Sequence, residues 1–348
     1  MTTIYPVTAE TPNVRILGRM DRTQVPIALD WSGTGAEFIL KGSGCWAELE
    51  APEKAPVFWM TVLADGCPVS RFPVEMGCRF YPLLIGMEED KSRRITLIKE
   101  TQCMPGSPEA TVFLRSLRIE GELLPLPERK YRIEFIGDSL TSGEGVLAPR
   151  DNEEWITPWF SARATYAWEA CEELDAECRL LSQCGYGVCW NWEHHADGNM
   201  TDGYELNVGV LHGEAVEKRG CRKAYDFAAW QPDAVCVRLG TNDCVGVFQA
   251  GSLETDKPLI IEGCVRFLRK IRKANPKAQI LWILPGSAHH PEMAEEAVRR
   301  VQEEGMTGVS AFALPDYGPA DYGARQHPNA AWNRTAGRLL AEHLRNLL

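Results

Sequence analysis

The chain changes its pattern at Glu122-Leu123-Leu124-Pro125-Leu126-Pro127-Glu128-Arg129-Lys130, and that change limits it to two joined architectures. Upstream, short runs rich in β-branched and aromatic residues read as strands: Val14–Leu17, Gln24–Leu29, Glu37–Leu40, Cys45–Glu50, Val57–Ala64, Arg79–Leu84, Ile95–Ile98 and Val112–Ile119. Gly33, Gly35, Gly42, Gly44, Asp65-Gly66 and Gly77 supply the turns between them. No helical period interrupts this stretch, which predicts a β-sandwich of the jelly-roll kind over residues 1–124. Two prolines followed by charges suit an extended linker at 125–130. Beyond it strand and helix patterns alternate: Ala164–Leu174, Ile260–Ala274, Pro291–Glu304 and Asn329–Leu347 read as helices, Gln279–Leu284 and Val309–Leu314 as strands. Alternation of this kind predicts a parallel sheet with helices on both faces over 131–348. A chain of 348 residues is long enough for two such domains.

Composition narrows the function classes. Apolar residues make up 45% and charged ones 24%, the profile of a soluble globular protein. The net charge is −11 and no basic stretch of five or more residues occurs, so neither nucleic acid nor an anionic membrane surface is an expected partner. Met1-Thr2-Thr3-Ile4-Tyr5-Pro6 has no basic or apolar leader character and no run of 18 apolar residues follows, which gives a cytoplasmic expectation. The 12 cysteines form no Cys-x-x-Cys pair, and Cys45, Cys171 and Cys236 sit within apolar patterns. They read as reduced, buried thiols, and no metal site is expected from Cys or His spacing. His194-His195 reads as a solvent-facing pair for the same reason.

Four segments carry chemistry. Ile133-Glu134-Phe135-Ile136-Gly137-Asp138-Ser139-Leu140 is an apolar strand running into a turn, which can project the Ser139 hydroxyl into the crevice above a sheet. Leu181-Ser182-Gln183-Cys184-Gly185-Tyr186-Gly187 ends a second strand in a Gly-rich turn, and Ala234–Leu239 leads into Gly240-Thr241-Asn242-Asp243. Gln326-His327-Pro328-Asn329 precedes an amphipathic helix. Singly, each has an ordinary structural reading as turn, N-cap or helix entrance. Together, in the order Ser, Gly, Asn, His, they resemble the four blocks of the SGNH (GDSL) hydrolase superfamily, whose catalytic domain is flavodoxin-like. The chemistry assigns matching roles: Ser139 as nucleophile, His327 as the base it needs, and the N–H groups of Ser139 and Gly185 with the Asn242 side chain as the oxyanion hole.

The likeness extends past these blocks. An N-terminal sandwich joined to such a domain, the junction Leu124-Pro125 to Ser139, the glycines around Tyr186, Met200-Thr201-Asp202, and Tyr225-Asp226-Phe227 with Trp230-Gln231-Pro232-Asp233 resemble carbohydrate esterase family 2. The resemblance implies deacetylation of an acetylated sugar or oligosaccharide with neither metal nor organic cofactor. Trp190 and Trp192, in the long polar insertion from Trp190 to Trp230, are candidates for a sugar-stacking rim, with Trp190 the substrate-binding expectation. One position departs from the superfamily pattern: Ala324 and Arg325 stand where an Asp commonly precedes the catalytic His, and the nearest upstream acids are Asp321 and Asp316. The resemblance then implies a Ser-His dyad whose imidazole is oriented by a backbone carbonyl. Two other readings use the same residues. A lipase or acyl-CoA thioesterase lacks support from any apolar lid helix, and a catalytically weak carbohydrate-binding protein sits badly with intact Ser139, Gly185, Asn242 and His327.

Overall fold

The computed structural model describes residues 2–52 and 56–348. In chain order its elements are β1 (Thr2–Pro6), β2 (Val14–Leu17), β3 (Ile27–Leu29), β4 (Gly35–Ala51), β5 (Phe58–Ala64), β6 (Cys67–Val74), β7 (Gly77–Ile85), β8 (Ser92–Lys99) and β9 (Val112–Leu124). They continue with β10 (Tyr131–Gly137), α1 (Ser139–Ser142), α2 (Tyr166–Leu174), β11 (Ala176–Ser182), α3 (Glu214–Lys218), β12 (Ala234–Arg238), α4 (Thr241–Ala250), α5 (Leu253–Ala274), β13 (Gln279–Ile283), α6 (Glu292–Glu303), β14 (Val309–Phe312) and α7 (Ala330–Arg345). Two compact units emerge: Met1–Glu128 with Leu206–Tyr225, and Arg129–Glu205 with Asp226–Leu348. The second is therefore not contiguous. Leu206–Tyr225, which the sequence pattern leaves inside the catalytic domain's insertion, belongs with the first unit. Buried polar contacts tie it there: Trp31 Nε1 donates to Asn207 O at 2.9 Å, and Arg219 meets Asp30 at 3.2 Å.

In the first unit all strand pairings are antiparallel. The long β4 exchanges neighbours along its length, pairing with β2 and β8 through its first half and with β7 through its second, while β9 runs beside it over Ile39–Glu50. The sequence pattern breaks this strand at Gly42 and Gly44, yet the chain stays extended. The glycines serve close approach instead: a Cβ on Gly42 (φ 151°) would lie 2.1 Å from Glu120 O, and one on the facing Gly121 (φ 139°) 2.1 Å from Lys41 O. One extra residue, Ser43, is bulged out of register there. The bulge moves the buried set from Ala36, Phe38 and Leu40 to Cys45, Ala47, Leu49 and Ala51, so one face stays inward although parity changes. These residues join Val62, Ile95, Leu97, Leu114 and Ile119 in a single apolar core. β1 and β6 lacked a sequence signal strong enough to announce them: β1 is partly exposed on both faces, and β6 carries two prolines among half-exposed residues.

The second unit is a parallel sheet in the order β11-β10-β12-β13-β14. β11 and β12 are buried along their whole length, as crossover helices require, with α2 packed on α7 and α5 on α6. Gly137 at the end of β10 is in register with Ser182 of β11 and Arg238 of β12. That register brings three of the four sequence blocks to one edge of the sheet, the edge where α/β proteins build sites. The sequence pattern places Gly240-Thr241-Asn242-Asp243 at the end of a strand, with a turn as its ordinary structural reading; Thr241–Asp243 open α4, with Gly240 at its N-cap.

Candidate active site

Ser139 begins α1 directly after β10. Asp138 caps this short helix, its Oδ1 accepting from Leu140 N at 3.0 Å, and Gly143 ends it in a left-handed conformation with its N–H on Ser139 O. Burial pushes the Asp138 carboxyl above the usual range, and its Oδ2 has no hydrogen-bond partner among the described residues. Ser142 Oγ donates to Ser182 Oγ at 2.9 Å, which fastens the helix to the end of β11. The Ser139 side of the site is thus held by local capping, by the Ser142–Ser182 bond and by a 2.7 Å hydrogen bond between Thr141 Oγ1 and Tyr166 OH, and the N–H of Ser139, in the first turn, has no intrahelical acceptor.

His327 arrives from 188 positions away, and its Nε2 shares a 2.8 Å hydrogen bond with Ser139 Oγ. The loop that carries it is tightly folded. Gly323 N donates to His327 O at 2.7 Å, His327 N to Ala324 O at 3.0 Å, and Arg325 N to Asn152 O at 2.7 Å. Arg325 and Gln326 both adopt left-handed φ values of 52° and 57°, an uncommon pair for residues with side chains. Beyond Pro328, Asn329 caps α7 through Ala331 N and Trp332 N.

The orientation expected for the imidazole is corrected here. His327 Nδ1 is buried without a hydrogen-bond partner among the described residues, so no backbone carbonyl receives it. Asp321 does not reach it either; its Oδ2 accepts from Gly318 N at 3.2 Å. A different carboxylate is close: Glu144 Oε2 lies 3.8 Å from His327 Nε2, and its Oε1 accepts from Arg325 Nη1 at 2.7 Å. Neither residue carries a sequence signal for this role, since the pair is brought together across 181 positions.

Asn242 and His327 line, with Ser139, a cleft of about 510 Å³ whose other walls include Arg238, Thr241, Val245, Ser287, His289, Asp316, Tyr317 and Tyr322. Asn242 Nδ2 donates one hydrogen to Tyr186 O at 2.9 Å, leaving its second free for a ligand. The neighbouring Asp243, fully buried, accepts from Val188 N and Cys189 N at 2.8 Å each and from Trp190 N at 3.4 Å. Burial nevertheless pushes its carboxyl up to about 6, against the lowering from those N–H groups. The approach is so close that a Cβ on Gly187 would lie 2.2 Å from Asp243 Oδ2. The Asn242-Asp243 pair therefore shapes the whole turn that follows β11.

Gly185 lies in this turn, three residues beyond Ser182, but is not part of the cleft wall; the Trp192 indole sits against it, with Trp192 N donating to Gly185 O at 2.9 Å. Trp190 is not brought to the cleft. Its indole N–H is used on Asp243 O at 3.3 Å and its ring meets His194 edge-on at 4.6 Å. Trp192, with 44% of its surface exposed, does not line the cleft either; its ring rests on Gly185.

No family model matches the chain. Among curated proteins it is 24% identical over 329 residues to a cellulase/esterase of Acetivibrio thermocellus, covering 91% of this chain and 37% of that one. It is 23% identical over 228 residues to an acetylxylan esterase/glucomannan deacetylase of Cellvibrio japonicus, covering 64% and 61% respectively. The chain thus spans less than two thirds of the length of either relative. Among solved structures, a family two carbohydrate esterase from Clostridium thermocellum in complex with cellohexaose shares the fold, with TM-score 0.83 at 21% identity over 96% of this chain and 98% of that one. An acetyl xylan esterase from the rumen bacterium Butyrivibrio proteoclasticus is 30% identical with TM-score 0.93, covering 99% of this chain and 98% of that structure. With that identity over nearly its whole length, the chain belongs to carbohydrate esterase family 2.

Proposed function

We propose that this protein is a serine esterase that removes acetyl groups from carbohydrates. The observation that carries the reading is the 2.8 Å contact between His327 Nε2 and Ser139 Oγ at the carboxyl edge of a parallel sheet. A serine hydroxyl is a weak nucleophile until a base takes its proton, and an imidazole at this distance can do so. Ser139 Oγ attacks the acetyl carbonyl while its proton passes to His327 Nε2. The tetrahedral oxyanion is met by the N–H of Ser139 and the second amide hydrogen of Asn242, donors that act most strongly on the developing charge. Collapse breaks the ester C–O bond, His327 protonates the departing sugar oxygen, and water then hydrolyses the acetyl-serine by the same steps in reverse.

The cleft supports a sugar leaving group. Thr241, Ser287, Asp316, Arg238 and Tyr322 present donors and acceptors of the kind pyranose hydroxyls need. The similar proteins described above, an acetyl xylan esterase and an acetylxylan esterase/glucomannan deacetylase, agree with this class. The test is acetate release from acetylated xylo-oligosaccharides by the parent and by Ser139→Ala. The variant, which loses one hydroxyl and no packing, is expected to fall by ~10⁴ or more. Retention of a tenth of the parent rate, or preference for decanoyl over acetyl esters, would overturn the reading.

A further inference from the structure

We propose that the Glu144–Arg325 ion pair is the device that positions His327 and sets its charge balance, in place of the carboxylate that usually bonds the far nitrogen of a catalytic imidazole; the inference rests on the proposed role of His327 as base. Four observations carry it. His327 Nδ1 has no partner among the described residues, so nothing orients the ring from that side. Glu144, only 5% exposed, stands 3.8 Å from the other nitrogen, the one already bonded to Ser139. Its second oxygen is held at 2.7 Å by Arg325, two residues before His327 in a loop bent through two left-handed residues. The backbones of the same two segments are joined, with Ala324 N donating to Gly145 O at 3.1 Å.

The pair acts in two ways. As a strut, Arg325 reaching Glu144 holds the left-handed turn that aims the imidazole at Ser139. As a field, the carboxylate favours the imidazolium formed when Ser139 gives up its proton, and the guanidinium opposes that preference. Glu144 also receives the Cys184 thiol. Other charges near the ring are Asp138 from the nucleophile turn, with Arg238, His289, Asp316, Tyr317 and Tyr322 lining the same cleft. All of these stay in place in the variants below.

The experiment is the pH profile of kcat/KM for 4-nitrophenyl acetate. Glu144→Gln leaves Arg325 uncompensated, so the acid limb moves to lower pH by about one unit, and the weaker base costs up to about tenfold on the plateau. Arg325→Met leaves Glu144 uncompensated, so the limb moves to higher pH. The double variant returns the limb close to the parent position, and Arg325→Lys, which keeps the charge, leaves it there. A merely structural pair would lower the plateau in every variant without moving the limb in opposite directions, and that outcome overturns the proposal. If Glu144→Gln does not fold, Arg325→Met and Arg325→Lys decide by themselves. His327→Ala separates the two claims: parent-level activity would sink the esterase reading, whereas an inactive His327→Ala with unmoved limbs would sink only the role of the pair.

Discussion

Asp243→Asn offers a test of which force dominates beneath the loop after β11. The Asp243 carboxylate is fully buried under three backbone N–H groups, from Val188, Cys189 and Trp190. Those donors favour the charged form, while loss of water disfavours it more, and the carboxyl is pushed up from 3.8 to about 6. Below about pH 4 the group is protonated whether the chain is folded or not. As pH rises from about 4 to about 6 the unfolded chain gives up this proton before the folded one, so folding stability falls across that window. At 1.36 kcal/mol per unit the loss is worth about 3 kcal/mol by pH 7. Asp243→Asn removes this term while keeping a carbonyl oxygen for one or two of the donors. It is expected to be destabilised at pH 4 because an amide NH₂ replaces one acceptor oxygen, at a cost of about 1–3 kcal/mol. Relative to the parent, that deficit should shrink by about 3 kcal/mol on going to pH 7. Urea denaturation of parent and variant at pH 4 and pH 7 measures the difference directly. A deficit that grows with pH would mean that the three N–H groups outweigh burial, and would refute the reasoning.

Asn242→Ala is expected to lower kcat by roughly 10²–10³ with KM little changed, because the amide bonds the oxyanion more strongly than the ground-state carbonyl; a raised KM with unchanged kcat would make it a ground-state contact. Asp321→Asn should change turnover by less than about tenfold, since its carboxylate is bonded to Gly318 N and not to the imidazole, and steady-state kinetics showing a loss near 10⁴ would restore it as a triad member. In the first unit, Gly42→Ala forces a Cβ to within 2.1 Å of Glu120 O at a φ of 151°, and chemical denaturation should register at least ~2 kcal/mol of lost stability. A neutral result would show that β4 and β9 can part at the bulge without cost.

Local periodicity determined much of this protein by itself. Alternation with a period of two gives way to strand-helix alternation near residue 125, and both are properties of short windows, so the two architectures and the parallel sheet were readable without the fold. Ser139 was equally legible, because a nucleophile at the end of a strand needs only the strand, the turn and the cap, which are neighbours in sequence. Tertiary structure decided the rest wherever contacts join distant residues. A glycine in β4 looks like a turn until Gly121 is found opposite it, and Asp243 looks like a turn residue until the turn 55 positions earlier is seen wrapped on its carboxylate. Trp190 and Trp192 are indistinguishable as letters; one spends its indole N–H on Asp243 O and the other rests half-exposed on Gly185. Leu206–Tyr225 joined the first unit through Trp31 and Asp30, partners more than 170 positions away. Glu144 and Arg325 became a pair only because two loops 181 positions apart cross beside His327. Hydrogen bonds and ion pairs act over a few ångströms and are indifferent to separation along the chain, whereas sequence patterns register only what lies within a turn or two.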